Sequence, residues 1–188
     1  MVRSFTDAPV EPEMVDTLVS ALLSGPSAGN TRSLDVLVLI GDDVVNYWNT
    51  TLPPGRRDNF PWPRLLLAPL LLIPYVQPSA YPARYSEPDK ASTGLGEGVE
   101  AWSVPYWWVD GGAAVENVLL AVSDFELGAC FFGQFEHERA VRERFGVPAA
   151  RRAVGTIAIG HPDGDDRTSL SARRPRRPLD ESVHRGSW

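Results

Sequence analysis

Hydrophobic residues along this chain follow two periodicities, and their order predicts helices packed on a small mixed sheet. Apolar residues recur at helical spacing from Met14 to Leu22, and Gly25 and Pro26 end that pattern. Residues 34–40 and 70–76 are short apolar runs typical of buried strands, and residues 152–160 give another. This order of elements indicates an α+β or an α/β protein.

The dominant pattern is a predicted helix within residues 106–125, followed by a glycine-punctuated connection up to residue 135. No proline occurs from Asp110 to Phe125, and apolar residues fall on nearly every side of the helix. A helix that is apolar all round is typically buried, so we expect a long core helix. In the connection, the small residues of the sequence LGACFFG would allow a ligand or another backbone to come close.

The remaining segments complete a single domain over residues 1–188. A short helix is predicted at 42–49, a proline- and arginine-rich loop at 50–63, and a charged amphipathic helix at 136–145. Residues 78–105 have no regular pattern and are interpreted either as a lid-like insertion or as a solvated loop. Residues 170–188 form a C-terminal extension.

Composition narrows the classes of partner and compartment. The chain has 188 residues with a net charge of −6, from 18 basic and 24 acidic side chains, which gives no indication of a nucleic-acid partner. Its one cysteine, Cys130, cannot form an internal disulfide, so a reducing compartment is expected. Prolines interrupt the apolar run at 65–76, which is too short to span a membrane. We therefore expect a cytoplasmic protein with no membrane partner.

Few side chains suggest chemistry of their own. The three histidines are scattered and lack the spacing of metal ligands, so no metal site is predicted. No nucleophile elbow or phosphate-binding loop signature occurs. Cys130 has no neighbouring base and is interpreted as a small buried residue. We expect no catalytic side chain, and any chemistry would then belong to a bound cofactor.

Two segments could bind a polar ligand. Residues 26–32, PSAGNTR, offer two hydroxyls, an amide and backbone N–H groups, as a cradle for a polar ligand edge or simply as a helix-to-strand turn. Residues 173–177 hold four arginines, which suit a phosphate clamp or a solvated basic tail. The composition leaves both alternatives open in each segment.

Five motifs in order resemble the nitroreductase-like flavoproteins along most of the chain. They are the opening RSFTD at 3–7, the loop PSAGN at 26–30, the central helix and its exit at 110–130, the strand IAIG at 157–160, and RRPLDE with Val-His at 176–184. The resemblance implies an α+β fold, with a central mixed but mainly antiparallel sheet flanked by helices. It also implies a homodimer that binds FMN in two clefts at the subunit interface.

The activity implied by the resemblance is that of an NAD(P)H-dependent FMN oxidoreductase. In a ping-pong cycle, NAD(P)H would reduce the flavin and leave, and a nitroaromatic, quinone or similar small acceptor would then take its place. One alternative is a related flavin chemistry, either reductive dehalogenation or fragmentation of the flavin, with Tyr85, Glu87 and Lys90 holding a zwitterionic substrate. Another is a flavin-binding protein without turnover.

The motifs also imply roles for individual residues. Arg3 would contact the flavin phosphate or ring edge, and Arg174 and Arg176 would hold the phosphate from the C-terminal side. Ser27 and Asn30 would reach the flavin of the partner subunit. The full set expected to bind the cofactor is Arg3, Ser4, Pro26, Ser27, Ala28, Asn30, Arg32, Phe131, Phe132, Gly133, Gln134, Arg174 and Arg176. The residues expected to contact substrate are Tyr81, Tyr85 and Trp102.

Three departures from the family pattern bear on the site. Arg32 stands where the family usually has glutamine, and could add positive charge beside flavin or ligand. Gly133 stands where many relatives carry a glutamate over the flavin, which leaves substrate orientation to the backbone and the lid. The family usually has a further arginine just before the position of Met1. Either the true start lies upstream, or phosphate binding depends more on the C-terminal arginines.

Overall fold

The computed structural model describes residues 1–165 and 169–188, in which helices cover both faces of one sheet. The helices are α1 (Pro12–Leu23), α2 (Asp42–Thr51), α3 (Ala80–Tyr85), α4 (Tyr106–Asp124) and α5 (Glu138–Phe145). The strands are β1 (Asp35–Ile40), β2 (Leu70–Val76), β3 (Gly128–Phe132), β4 (Arg152–Ala153) and β5 (Thr156–Gly160). The predicted α+β class is confirmed.

The sheet runs in the order β1-β2-β5-β3, and the short strand β4 pairs with β2. Every pairing among the described strands is antiparallel, and the resemblance implied a mixed but mainly antiparallel sheet. Strand β2 is buried along its whole length because it is central in the sheet and covered on both faces. Its register places Leu37 opposite Ile73 on one side and Leu71 opposite Ala158 on the other.

Alternating side chains of β2 enter two separate hydrophobic cores. Leu70 and Leu72 pack with α1 and α4 on one face of the sheet. Leu71 and Ile73 pack with α2 on the other face. This division follows from the two-residue period of a strand, and it produces a helix–sheet–helix sandwich.

Helix α4 is buried on one face only. Residues such as Gly111, Val115 and Val118 face the core, but Val109 and Leu120 are 50% and 61% exposed. The pattern predicted a helix buried all round, and this detail is wrong for the single chain. Apolar periodicity identifies a surface that avoids water, but it does not identify what covers that surface.

The predicted connection after α4 contains the edge strand β3. Val2 N donates to Ala129 O across 2.8 Å, and a Cβ on Gly128 would lie 2.9 Å from Val2 Cβ. The small residues therefore admit another segment of backbone at this position, which is one of the two alternatives that the sequence left open.

Residues 78–105 fold into α3 and three short 3-10 turns. Tyr81 and Trp102 of this segment form an aromatic cluster with Trp107 of α4, and Tyr85 packs against it. The C-terminal residues 171–188 are exposed, and Arg177 contacts Glu181 within the same segment. Among the described residues, no helix is both long and apolar enough to cross a membrane.

Candidate active site

The residues predicted to bind a cofactor lie mainly around two cavities whose linings have no residue in common. The first, here called the ring cavity, has a volume of about 380 Å³ and is lined by Arg3 and residues 131–134. The second, here called the loop cavity, has a volume of about 460 Å³ and is lined by Pro26, Ser27, Asn30 and Arg32. Within one chain, the predicted set is thus divided into two halves.

The ring cavity lies where β3 ends, between helix α2 and the segment at 52–65. Its walls are largely aromatic: Trp48 stacks on Phe132 with ring centroids 5.9 Å apart, and Phe60 meets Trp62 edge to face at 6.0 Å. Sequence reasoning missed Phe60 and Trp62, because segment 50–63 is predicted only as a loop, although this pair of aromatic residues among the prolines at 60–63 could have indicated a cavity wall. It also missed Trp48, which the pattern places on the short helix at 42–49 without indicating what the ring faces.

Arg3 stands between the ring cavity and an adjoining polar cavity. Its guanidinium carbon lies 5.4 Å from the centroid of the Trp62 ring, within cation–π distance. The polar cavity has a volume of about 350 Å³, and its lining includes Arg3, Ser4, Asn59 and Arg64. A cation at this boundary could pair with an anionic group in the polar cavity or with the polar edge of a ring in the apolar one.

Ser4 is committed to an internal contact. Its Oγ donates to Asp163 Oδ2 across 2.7 Å, and Arg64 forms a salt bridge with the same carboxylate. The Ser4 hydroxyl and the Arg64 guanidinium lower the pKa of Asp163 below its usual value. Arg64 also donates to Phe5 O at 3.2 Å, so this cluster holds the N-terminal segment that presents Arg3.

The Gln134 side chain is buried in a polar network beneath the turn that follows β3. Its Nε2 donates to Thr156 Oγ1 across 3.1 Å, and the Tyr47 hydroxyl lies 2.8 Å from the same oxygen. Burial raises the pKa of Tyr47, so this hydroxyl stays protonated and can hydrogen-bond. Since the Gln134 side chain faces inward, its backbone is the part available to a ligand.

The loop at 26–32, here called the Ser27 loop, holds its own polar side chains. Arg32 N donates to Ser27 Oγ at 3.1 Å, and Arg32 Nε donates to Asn30 Oδ1 at 2.8 Å. These bonds occupy acceptors, so the Ser27 hydroxyl hydrogen and the Asn30 amide hydrogens remain as donors for a ligand. Sequence reasoning missed Asp110 at the base of this loop, where its carboxylate accepts from Ala28 N across 2.9 Å.

The aromatic residues predicted at the substrate site lie beside the Ser27 loop rather than at the ring cavity. Tyr81 lines the loop cavity, whereas Tyr85 and Trp102 line a further cavity next to Ala28. Within one chain they therefore add no wall to the ring cavity, and their contact with substrate stays a prediction.

The C-terminal arginines remain apart from these cavities. Arg174 and Arg176 are exposed, and neither lines the ring, loop or polar cavity. That Arg174 and Arg176 bind a phosphate stays a prediction.

Comparison with known proteins identifies the family. The family model described as "Nitroreductase family" matches residues 1–161. A protein from Archaeoglobus fulgidus, named for NADH dehydrogenase or NAD(P)H nitroreductase activity, is 22% identical, with 100% of this chain and 92% of that protein covered. The chain belongs to the nitroreductase family, which confirms the resemblance seen in the sequence motifs.

Solved structures show the same fold. A protein from Desulfovibrio desulfuricans described as a nitroreductase, solved in complex with FMN, superposes with a TM-score of 0.70 at 21% identity, over 100% of this chain and 91% of that one. A nitroreductase family protein from Streptococcus pneumoniae gives a TM-score of 0.73 at 18% identity, over 98% and 94% of the two chains.

Proposed function

We propose that this protein is an FMN-dependent oxidoreductase that uses NAD(P)H to reduce nitroaromatic compounds, quinones or similar small acceptors by a ping-pong cycle. The observation that carries the proposal is the ring cavity, where flat aromatic walls and the guanidinium group of Arg3 lie side by side. Membership of the nitroreductase family and the FMN complex of the Desulfovibrio desulfuricans structure support it.

The residues present suit the chemistry of FMN. An isoalloxazine ring has two flat faces and a polar edge, which match an aromatic cavity bordered by one cation. Its phosphate carries negative charge and would pair with Arg3 at the edge of the polar cavity, whose lining also includes Arg64, Asp58 and Asp165. Ser27 and Asn30 each keep donor hydrogens that fit carbonyl or phosphate oxygens.

When bound, FMN supplies the hydride-accepting and electron-donating chemistry, and the chain supplies binding, orientation and electrostatics. Arg3 balances negative charge on the phosphate or at the ring edge. The aromatic walls exclude water from one side of the cavity. Gly133 and Gln134 follow the last residue of β3, and in this proposal their backbone N–H groups donate to the polar edge of the ring.

A homodimer would bring the two halves of the site together. The ring cavity and the Ser27 loop lie apart in one chain, so a second copy can supply the missing half. Helix α4 offers a surface for this assembly, because Tyr106, Val109 and Leu120 are exposed on it. Exposed apolar patches of this kind commonly mark protein–protein contacts. We place this dimer in the cytoplasm, as the composition predicts.

Within residues 1–165 and 169–188, no contact favours the alternative amino-acid substrate. Glu87 accepts a hydrogen bond from Arg84 at 3.2 Å, and Lys90 lies 5.9 Å from the centroid of the Tyr85 ring. These groups already have partners within the chain, and Tyr85 packs inward against Gly29.

The test is reduction of the FMN-loaded protein under anaerobic conditions. We expect NADH or NADPH to bleach the yellow absorbance of oxidised flavin, and a quinone or nitroaromatic compound to restore it. Bound flavin that neither nucleotide reduces would contradict the enzymatic proposal and favour a flavin-binding protein without turnover.

A further inference from the structure

We propose that residues 81–89 form a clamp that fixes the conformation of the Ser27 loop, and through it the affinity for FMN. The second half of this inference rests on the proposed function, because it assumes that the loop contacts the cofactor. The sequence left the segment that contains these residues open as a lid-like insertion or a solvated loop. Several contacts of residues 81–89 are made with the Ser27 loop.

The Ser27 loop needs external support because its backbone is strained. Gly29, Asn30 and Arg32 have φ angles of 61°, 56° and 48°. Arginine rarely adopts this left-handed conformation, whereas glycine takes it freely and asparagine tolerates it, so Arg32 carries most of the strain. Hydrogen bonds within the loop offset part of this cost, but they do not attach the loop to the rest of the fold.

The first attachment passes through Asp110 on helix α4. Asp110 Oδ2 accepts from Ala28 N at 2.9 Å and from the Tyr81 hydroxyl at 2.7 Å. Burial raises the pKa of Tyr81, which keeps this hydroxyl protonated as a donor. One carboxylate oxygen thus connects the loop, the central helix and the start of the clamp.

The second attachment is Arg84. Its Nε donates to Gly29 O across 2.9 Å. The two terminal nitrogens of the same guanidinium each donate to Asp89 at 2.7 Å. This bidentate pairing fixes the plane of the guanidinium group and directs Nε at the Gly29 carbonyl. Asp89 therefore acts on the loop only through Arg84.

The third attachment is the packing of Tyr85 on Gly29. A Cβ at position 29 would lie 2.6 Å from Tyr85 Cε2, so the ring sits directly against the loop backbone. The Trp102 ring packs edge to face with the Tyr85 ring, with centroids 4.7 Å apart. Trp102 is itself fixed, because its Nε1 donates to Leu95 O at 3.0 Å.

These contacts make Arg84 a positioning residue. It lies 54 to 56 positions after the Ala28–Asn30 turn and bonds to a carbonyl of that turn. If the clamp is released, Ser27 and Asn30 keep their side chains but lose their preset orientation. The cofactor would then have to order the loop on binding, and this ordering weakens affinity.

The test compares Arg84→Gln with a matched control, Arg139→Gln. Arg139 is an exposed arginine that pairs with Glu143 at 2.7 Å, far in sequence from the loop. Hydrogen exchange is measured on the cofactor-free protein, and FMN affinity by quenching of flavin fluorescence. Arg84→Lys and Asp89→Asn complete the series.

We expect Arg84→Gln to accelerate exchange of the amides of residues 28–32 by about tenfold, as loss of one well-ordered hydrogen bond predicts. FMN affinity should fall by a similar factor, while the melting temperature falls by only a few degrees, because one hydrogen bond is lost and the fold is kept. Arg84→Lys should recover part of both effects and Asp89→Asn should reproduce part of them, whereas Arg139→Gln should change neither.

Wild-type exchange rates at residues 28–32 of Arg84→Gln would overturn the clamp, and wild-type FMN affinity in that variant would overturn its effect on the cofactor. Absence of FMN binding by the unmodified protein would contradict the proposed function and the affinity half of this inference. The exchange measurement, which needs no cofactor, would still decide whether residues 81–89 hold the loop.

Discussion

Gln134 Nε2 donates to Thr156 Oγ1 across 3.1 Å, which ties the turn after the edge strand β3 to the first residue of β5. Thr156 is fully buried, and the Tyr47 hydroxyl lies 2.8 Å from the same oxygen. One threonine hydroxyl therefore organises the polar base of the ring cavity from three elements of the fold.

Thr156→Val should destabilise the protein without changing the size of the side chain. Valine keeps the branched shape but removes the oxygen, so Gln134 and Tyr47 lose a buried partner. We expect a decrease of about 1–3 kcal/mol in the free energy of unfolding, measured by urea denaturation. Thr17→Val removes an exposed hydroxyl that donates to Glu13 O, and should cost under about 0.5 kcal/mol. Equal stability of the two variants would refute the structural role of this network.

Gly29→Ala and Gly94→Ala should separate backbone strain from the contact with Tyr85. Both glycines have positive φ, 61° and 74°, so both variants incur a conformational cost of roughly 1–2 kcal/mol. Only at Gly29 does the new methyl group meet a ring, because nothing lies within 4 Å of a Cβ at Gly94. Thermal unfolding should show Gly29→Ala to be less stable by an additional 1–3 kcal/mol or so. Equal losses of stability in the two variants would mean that the Tyr85 ring moves aside at no measurable cost.

Local sequence patterns predicted most helices and three strands, and the family motifs indicated Arg3 and the Ser27 loop, which line two of the cavities. They failed at β3, where the five residues GACFF are too short and too rich in small residues to show a strand period. The neighbouring strand β5 and the N-terminal segment stabilise this strand, and both contacts are remote in sequence.

The walls of the ring cavity could not be predicted for a similar reason. Trp48 lies on a helix, Trp62 lies in a proline-rich segment, and Phe132 ends a strand. Only the packing of the hydrophobic core on the α2 face of the sheet brings the three side chains together. For the exposed face of α4 the pattern did predict burial, but Leu120 is 61% exposed in the single chain. A partner that would cover it cannot be identified from the pattern.

Acid should remove the stabilising contribution of Asp163. Its folded-state pKa is depressed by the Ser4 hydroxyl and by Arg64, so the contribution is present above the unfolded pKa of about 4. It is lost as pH falls through the lower, folded-state pKa. The stability difference between the wild type and Asp163→Asn should therefore be largest at neutral pH and shrink below pH ~4. A difference that is constant from neutral to acid pH would contradict this assignment.

Leu120→Glu should disrupt the proposed dimer. The side chain is 61% exposed in the single chain, so glutamate there should leave the protomer folded. A charge buried at an interface is costly, and the mass measured by light scattering should fall from twice 20.6 kDa to 20.6 kDa. FMN affinity should fall with it. Val45→Glu is the control, since Val45 is 53% exposed on α2, on the opposite face of the sheet. A wild-type monomer, or an unchanged dimer in Leu120→Glu, would refute the α4 interface.

The most direct test of the central claim is titration of FMN with the purified, cofactor-free protein, followed by flavin fluorescence, with riboflavin titrated in parallel. Occupation of the ring cavity predicts saturable binding of one FMN per chain. Riboflavin lacks the phosphate that Arg3 would contact, and should bind at least about tenfold more weakly. Fluorescence that does not change as protein is added would contradict the account.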